Sequence, residues 1–141
     1  LDMLDEIGEA SRAEAWFDAA FARGTTLMGF GHRIYKVRDP RADVLKAAVA
    51  TLPATAGRLA FAAAVEQGAI AALRRHKPGR RLDTNVEYYT ALLLEALDIP
   101  RPAFTALFAV GRVAGWCAHV FEQEARGRII RPQSNYVGPR P

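Results

Sequence analysis

The chain has 141 residues, of which 50% are hydrophobic and 24% are charged, and its formal net charge is +4. This composition excludes a disordered or collagen-like chain and fits one globular domain or one piece of a larger one. The cations are mostly arginines scattered along the sequence, which disfavours a nucleic-acid surface. They favour a small anionic ligand, because a guanidinium group binds carboxylate or phosphate through two parallel hydrogen bonds.

The sequence predicts neither a membrane span nor a secretory signal. The most apolar runs, residues 59–73 and 102–110, are interrupted by Glu66 or end before Arg112, so neither reaches the roughly 20 residues that a bilayer span needs. The first residues are acidic where a secretory signal is basic. Because the single Cys117 has no internal disulfide partner, we expect a reducing compartment, the cytoplasm.

The first half of the chain predicts helices on both sides of one long loop. A short helix ends at Gly8, and a capping box of Ser11 with Glu14 opens a second helix that stops at Gly24. Helical periodicity is absent from there to residue 38, and Asp39, followed by proline, then caps a third helix. The predicted buried stripe of the third helix, which Pro53 closes, consists of Val44, Leu45, Ala48, Val49 and Leu52.

The second half predicts three more helices, which gives an all-α fold of about six helices. An alanine-rich helix ends near His76, and a second capping box, Thr84 with Glu87, opens the next one. Residues 98–102 separate it from the last helix, and the tail from Gly127 onward is not helical. The predicted core faces are Phe61, Val65, Ala69 and Leu73 on the first of these helices and Val86, Tyr89, Leu93 and Leu97 on the second.

The long loop contains the first polar group that helix packing does not require. Gly29 and Gly31 flank the segment that leads to His32. Glycines let a ligand approach the backbone, and an imidazole donates or accepts a proton near neutral pH. A ligand-binding loop and a simple turn with a surface histidine are both compatible with this pattern.

Glu87 is the second candidate. It is either the third residue of the Thr84 capping box or a general base. The two roles compete, because a carboxylate that is hydrogen-bonded to the amide of the cap residue is a weaker base.

The third group consists of Arg112 and Arg131. Arg112 follows a glycine among residues that favour close packing, so a buried cation there needs an anion, either a structural salt bridge or a ligand carboxylate. No metal site is predicted, because His32, His76 and His119 are far apart in the sequence and no Cys or acidic cluster has ligand spacing.

Several motifs of the chain form a set when their order and spacing are considered together. They are Gly-Phe-Gly-His32-Arg-Ile-Tyr-Lys36, Asp39-Pro40-Arg41, Asn85-Val86-Glu87, Phe-Ala-Val-Gly-Arg112 with Trp116 and His119, and Arg131-Pro132. In this arrangement they resemble the citrate synthases and the closely related 2-methylcitrate synthases. The resemblance implies that residues 1–97 form the small, mobile helical domain of that fold and that residues 98–141 return to the large domain, whose N-terminal part is absent here.

The resemblance also implies a site for oxaloacetate, a dicarboxylate with a ketone. Arg41, Arg112 and Arg131 would bind its carboxylates, and His32 would polarise its carbonyl group. Glu87 would remove a proton from the methyl group of acetyl-CoA, and the resulting enol would attack the ketone. Hydrolysis of citryl-CoA would then give citrate and CoA, which makes the family acyltransferases that convert the acyl group into an alkyl group on transfer.

Lys36, with Gly29 and Gly31, falls in the segment that binds CoA in the family. Acetyl-CoA is a substrate, so no cofactor and no metal are implied. The implied partners are oxaloacetate, acyl-CoA and a second copy of the chain, because in family dimers the arginine at the position of Arg131 reaches the partner subunit's site. No nucleic-acid or membrane partner is expected.

Two departures from the family pattern affect the expected activity. The usual base is Asp, whereas Glu87 is one methylene longer, and a misplacement of about 1 Å can lower the rate by up to about a hundredfold. The family's other essential histidines precede the region that corresponds to this chain. We therefore expect the isolated chain to be inactive, as the C-terminal fragment of a citrate synthase-like enzyme.

The sequence leaves two alternatives open. The acyl donor is propionyl-CoA in a 2-methylcitrate synthase, and the choice depends on pocket volume. A non-catalytic helical domain that retains the arginines for ligand binding or protein interaction is the other alternative.

Overall fold

The computed structural model describes residues 1–35, 37–52, 55–127, 129 and 131–139. Within these ranges the chain forms six α-helices and no β-strand, which confirms the predicted all-α fold. The helices are α1 (Asp2–Ile7), α2 (Ala13–Ala22), α3 (Pro40–Ala50), α4 (Ala56–His76), α5 (Val86–Ala96) and α6 (Phe104–Arg126). Short 3-10 turns, Ala10–Arg12 and Arg101–Ala103, precede α2 and α6.

Most of the predicted helix ends are confirmed, and each depends on residues that are close to it in the sequence. Gly8 ends α1 and Gly24 follows α2, both with φ near 70°, a conformation that glycine adopts without steric cost. Asp39 caps α3 by accepting a hydrogen bond from the Arg41 amide, with Pro40 at the first helical position. Pro53, predicted to close α3, lies outside the described residues.

The predicted capping box at Ser11 is wrong. Ser11 lies inside the 3-10 turn Ala10–Arg12, and α2 begins at Ala13 without a side-chain cap. A Ser-x-x-Glu pattern caps a helix only when the chain is extended at the serine, whereas here the 3-10 turn already occupies that position.

The core faces of α3 and α5 are rotated relative to the prediction. In α3, Ala42 and Val49 are buried, whereas Val44 is 70% exposed. Helix α3 packs against α5, which buries the row containing Ala42 and Val49 and turns Val44 outward. In α5 the buried residues are Tyr88, Tyr89, Leu92 and Leu94.

Helix α4 is the central element of the core and packs against α2 and α3. Its predicted residues Val65, Ala69 and Leu73 are buried, and Phe61 is partly buried. Glu66 is also completely buried, although in the sequence it only interrupts an apolar run.

The chain divides into two compact units, Leu1–Phe104 and Thr105–Pro141. The first unit contains the buried hydrophobic cluster. Its boundary falls a few residues after the predicted division at residue 97. The assignment of these units to the family's small and large domains stays a prediction.

Ion pairs join the beginning of the first unit to its end. Arg101 pairs with Asp2 and Asp5 of α1 at 2.9 and 2.6 Å, and Arg58 of α4 pairs with Asp5 at 2.7 Å and with Glu95 at 2.9 Å. These pairs are partly exposed, so solvent screens them and each adds little to stability.

The second unit consists mainly of α6, which has no buried residue within the described chain. The stretch Arg101–Arg126 is long and apolar enough to cross a membrane by length and composition alone. The sequence prediction ended the apolar run before Arg112, whereas the apolar stretch of the helix continues past this arginine. Length and composition give only weak support for a membrane span.

Two buried carboxylates, Asp39 and Glu66, predict how stability changes in acid. Hydrogen bonds from Arg41 lower the pKa of Asp39 more than burial raises it. Burial raises the pKa of Glu66, but the hydrogen bonds from Thr84, Tyr89 and Arg38 together lower it below its ordinary value. Both groups stabilise the fold above their unfolded pKa values, and this contribution is lost as pH falls through the lower folded values.

We therefore expect the melting temperature to be nearly constant from pH 7 to about pH 5 and to fall steeply below about pH 4. Thermal unfolding followed by circular dichroism across this range measures the effect. Glu66→Gln removes one of the two groups, so its melting temperature should depend less on pH in the acidic range. Identical pH profiles for both proteins would contradict the role of Glu66.

Candidate functional site

The segment that carries the predicted histidine lies against the start of α5. We call its described residues, 29–35 and 37–39, the histidine loop. The Gly29 carbonyl accepts a hydrogen bond from the Asn85 amide at 2.9 Å, and the Gly31 amide donates to the Asp83 carbonyl at 2.7 Å. The Asn85 side chain donates to the Gly31 carbonyl at 2.9 Å. The loop and the start of α5 are therefore one hydrogen-bonded unit.

The two glycines of the loop are required by close contacts. Both have φ between 84° and 89°, a region that favours glycine. A Cβ atom on Gly29 would lie 3.0 Å from the Tyr88 ring, and one on Gly31 would lie 2.8 Å from Leu82. Protein packing thus explains both glycines, and their part in CoA binding stays a prediction.

His32 has a defined tautomer in this loop. Its Nδ1 atom accepts hydrogen bonds from the amides of Ile34 and Tyr35, both at 3.0 Å. Because Nδ1 is an acceptor, the neutral imidazole carries its proton on Nε2. The ring is partly buried and stacks on Tyr35 with a centroid separation of 4.5 Å. The loop therefore makes Nε2–H the hydrogen-bond donor for a ligand.

Arg41 lies beside the same tyrosine. Its guanidinium carbon is 5.6 Å from the centre of the Tyr35 ring. Its Nε and Nη2 atoms donate to the two carboxylate oxygens of Asp39 at 2.9 and 2.7 Å, which leaves the other N–H groups of the guanidinium for a ligand. The Arg41 side chain is 47% exposed, whereas Asp39 is buried. Tyr35 thus contacts both His32 and Arg41. We call these three residues the exposed cluster, and the buried Asp39 holds it through Arg41.

Asp39 also connects the cluster to α5. Besides binding Arg41, its carboxylate accepts a hydrogen bond from the Val86 amide at 3.2 Å, and its own amide donates to the Thr84 carbonyl at 3.2 Å. Hydrogen bonds from Arg41 are the largest cause that holds the pKa of Asp39 below its ordinary value. The carboxylate is therefore charged at neutral pH and complements the arginine.

The predicted capping box at Thr84 is wrong, and this changes the interpretation of Glu87. The N-cap of α5 is Asn85, whose side-chain oxygen accepts a hydrogen bond from the Glu87 amide at 3.0 Å. The Thr84 hydroxyl instead donates to Glu66. Glu87 is the second residue of α5, and its side chain is exposed. Among the described residues its carboxylate takes part in no hydrogen bond or ion pair, so the competing structural role is removed.

Glu87 also borders a cavity of about 510 Å³ in the first unit. The side chains of Trp16, Leu27, Met28 and Tyr88 contribute apolar wall to it. An acid or base at the edge of an apolar cavity can act on a carbon-bound proton that is shielded from water.

A second cavity, of about 380 Å³, is lined in part by residues 30–33 of the histidine loop. Its lining includes His32 and Gly31 and three cations, Arg33, Lys77 and Arg80. Residues 77–81 are a basic stretch of the segment between α4 and α5. The structure places two of its cations beside the predicted histidine, which suits a ligand with phosphate groups.

The remaining predicted residues are not tested by this geometry. Arg112 and Arg131 belong to the second unit, and both are exposed in this chain. The expectation that Arg112 is buried is therefore wrong for the chain as described. Lys36 lies outside the described residues.

Sequence reasoning missed the roles of Tyr35 and Asp39. Asp39 was predicted only as a helix cap, although an Asp at the cap and an Arg two residues later are close enough for an ion pair. Tyr35 had no signal of its own, because its contact with both His32 and Arg41 depends on how the loop folds. No group of three or more His, Cys, Asp or Glu that could hold a metal occurs within the described residues.

The fold and this cluster define an all-α domain with a candidate site for an anionic, oxygen-rich ligand. The family model for the C-terminal domain of citrate synthase matches residues 1–133. The chain therefore belongs to the citrate synthase family, whose members are transferases. The match includes all of α6, so we assign that helix to the family's domain.

Sequence relatives agree with this assignment. The chain is 46% identical over 141 residues to the "Putative citrate synthase 2" of Mycobacterium tuberculosis, which covers all of this chain and 37% of the relative. It is 37% identical over 139 residues to "Citrate synthase 2" of Bacillus subtilis, with 99% of this chain and 36% of the relative covered. The chain thus spans little more than a third of the length of these relatives.

Solved structures give the same result. The chain resembles citrate synthase from Thermoplasma acidophilum, solved as a ternary complex with carboxymethyl coenzyme A and oxaloacetate, with a TM-score of 0.81 and 34% identity. The similarity covers 99% of this chain and 38% of that one. Citrate synthase from Pyrobaculum aerophilum matches with a TM-score of 0.74 and 36% identity, over 98% of this chain and 34% of that one.

The cap assignment at α5 can be tested by stability alone. Asn85→Ala removes the acceptor for the Glu87 amide together with the donor to the Gly31 carbonyl, and we expect it to lower the free energy of unfolding by at least about 1 kcal/mol. Glu87→Gln should change it by less than about 0.5 kcal/mol, because no partner of the carboxylate is lost. Urea denaturation of both variants measures this. The reverse order of effects would restore the capping box.

Proposed function

We propose that this chain is the C-terminal part of an enzyme that condenses acetyl-CoA with oxaloacetate to give citrate and CoA. The observation that carries the proposal is the Nε2–H tautomer of His32, whose ring stacks on Tyr35, the residue that Arg41 also contacts, in a chain of this family. A neutral hydrogen-bond donor next to a guanidinium is the chemistry that a ketone flanked by a carboxylate requires.

In the proposed reaction His32 donates its Nε2–H to the ketone oxygen of oxaloacetate. Arg41 binds a carboxylate through the N–H groups that Asp39 does not use, and Arg112 and Arg131 bind the remaining carboxylate oxygens. Arg131 acts in the site of a second copy, so the enzyme is a homodimer. The ternary complex of the Thermoplasma acidophilum relative supports this class of substrate.

Glu87 is the proposed base. Its carboxylate takes one proton from the methyl group of acetyl-CoA, the electron pair of that C–H bond forms a carbon–carbon double bond, and the thioester oxygen takes up a proton to give the enol. The enol carbon attacks the ketone carbon, the enol oxygen loses its proton as the thioester carbonyl re-forms, and the ketone π electrons move to oxygen, where the alkoxide is stabilised by the His32 Nε2–H and takes up a proton. Water then cleaves the thioester of citryl-CoA. Acetyl-CoA is a substrate, and the proposed steps use no metal or redox cofactor.

The cationic cavity beside His32 is the proposed site for the phosphate groups of CoA. Lys77 and Arg80 lie on the loop between α4 and α5, and Gly31 and His32 form the opposite wall. Bound there, CoA would have its phosphates beside the histidine loop and its thioester directed toward Glu87. Lys36, predicted from the family pattern to bind CoA, lies outside the described residues.

We infer that the enzyme acts in the cytoplasm, with neither nucleic acid nor a membrane as a partner. Because relatives are almost three times as long as this chain, the proposed activity belongs to the full-length protein, and the 141-residue chain alone should have negligible turnover.

The test of the function is turnover in the full-length protein with oxaloacetate and either acetyl-CoA or propionyl-CoA, followed by thiol release. Glu87→Gln retains the shape of the side chain but removes the proton acceptor, so turnover should collapse while oxaloacetate still binds. His32→Ala should lower turnover about 10²- to 10⁴-fold, the range for one positioned acid or base group. Glu87→Asp, which retains a carboxylate, should keep measurable activity and serves as the matched control.

A fully active Glu87→Gln enzyme would exclude the proposed base. Preferential turnover of propionyl-CoA would assign the protein to the 2-methylcitrate branch of the family. Binding of oxaloacetate without turnover of either thioester would favour the non-catalytic alternative.

The CoA cavity gives a separate prediction. Arg80→Gln and Lys77→Gln should each raise KM for acetyl-CoA about three- to tenfold at low salt and leave KM for oxaloacetate unchanged, since each removes one partly exposed charge from the phosphates. Arg75→Gln is the control, because Arg75 pairs with Glu14 and Asp18 and does not line the cavity. Equal effects of all three variants would indicate only a general charge effect.

A further inference from the structure

The middle of α4 carries a carboxylate that the proposed reaction does not use. Glu66 has no exposed surface. Its Oε1 atom accepts hydrogen bonds from the Thr84 hydroxyl and from Arg38 Nη1, both at 2.6 Å. Its Oε2 atom accepts one from the Tyr89 hydroxyl at 2.5 Å and lies 3.5 Å from Lys46 Nζ.

The donors to Glu66 belong to the segments that build the candidate site. Arg38 is in the histidine loop, immediately before Asp39, the residue that binds Arg41. Thr84 precedes the cap of α5, and its carbonyl accepts the Asp39 amide. The Oε1 atom of Glu66, on α4, thus bonds both to the histidine loop and to the residue that precedes the cap of α5.

A buried ion pair is a weak means of stabilising a fold. Removing a carboxylate from water costs several kcal/mol, and its attraction to a cation offsets this cost only when the remaining oxygen lone pairs are also bonded. Arg38 has a second, exposed partner in Asp43 at 2.8 Å and is itself 31% exposed. Arg38 could therefore be paired at the surface by Asp43 and solvent alone. We take its additional bond to the buried Glu66 as the contact that fixes where the histidine loop lies.

We infer that Glu66 is a positioning residue for the proposed condensation, because it fixes the histidine loop, which carries His32 and leads into Arg41 at the start of α3, at a set distance from the first turn of α5, which carries Glu87. The inference rests on the proposed function. In the absence of this anchor the loop retains its bonds to the 83–85 segment but loses its attachment to α4.

The test uses the full-length enzyme and three variants. Glu66→Gln removes the negative charge and leaves one oxygen for the donors that Oε1 and Oε2 now share, so the charge-assisted bond to Arg38 is weakened. Arg38→Met removes the other side of the same bond. Lys46→Met is the matched control, because it removes a cation that pairs with the same carboxylate from α3 and not from the histidine loop.

We expect Glu66→Gln and Arg38→Met each to lower kcat about tenfold, within the range for a displacement of reacting groups by less than about 1 Å. The double variant should be no slower than Glu66→Gln alone, because both changes break one link. Lys46→Met should leave kcat within about twofold of the wild type, even where its melting temperature is lower. All assays are run well below the melting temperature of the least stable variant.

Hydrogen exchange on the same proteins gives a readout that does not need turnover. The amides of Asp39 and Asn85 bond to the carbonyls of Thr84 and Gly29, and both should exchange faster in Glu66→Gln and Arg38→Met than in Lys46→Met. An inactive wild-type enzyme would reject the proposed function. The hydrogen-exchange rates of these two amides would still show whether Glu66 holds the histidine loop in place. Unchanged exchange at these amides, or kinetic losses that multiply in the double variant, would overturn the inference.

Discussion

The buried carboxylate of Glu66 is the interaction on which the arrangement of the first unit depends. It stands in the middle of α4, where every neighbouring position of the same helix face is apolar, and it bonds to the histidine loop, to the residue before the cap of α5 and to α5 itself. An apolar residue at this position would fill the space but would not specify which groups lie opposite. A charged group that must satisfy its oxygens admits one arrangement of its partners, because each alternative leaves a buried oxygen without a donor.

Asp39 is a second buried carboxylate that joins separate elements, and its partner Arg41 is exposed. Its carboxylate joins the N-terminus of α3, the first amide of α5 and the guanidinium of Arg41. Both helix termini have unpaired amides and partial positive charge, which a carboxylate complements. The exposed cluster of His32, Tyr35 and Arg41 thus rests on two successive buried anions. Its position is determined by elements separated by up to about fifty residues in the sequence, and the ligand-facing groups themselves contribute little to it.

This organisation explains which features were predictable from the sequence. The turn at Gly8, the cap at Asp39 and the end of α4 near His76 depend on neighbouring residues, and all were predicted. The second capping box was wrong because Ser/Thr-x-x-Glu is a local pattern, whereas the Thr84 hydroxyl bonds to Glu66, which is eighteen residues away. His32 and Glu87 were candidates from the residues themselves and Arg41 through the resemblance to the family, and the roles of all three stay predictions. The tautomer of His32 and the contact of Tyr35 with Arg41 follow from the folded loop, and no periodicity in the sequence encodes them.

The first turn of α5 shows how this constraint acts on Glu87. The backbone there is held by three hydrogen bonds, from Asn85 to Gly29, from Val86 to Asp39 and from Glu87 to the Asn85 side chain. The helix therefore cannot shift to compensate for a side chain that is one methylene longer than the aspartate usual in the family. The extra length must be accommodated by the torsion angles of Glu87, which has one more rotatable bond to order than an aspartate has. Since no described residue bonds to its carboxylate, the proposed base would take its reactive conformation from contacts with the cavity wall and with the substrate of the proposed reaction.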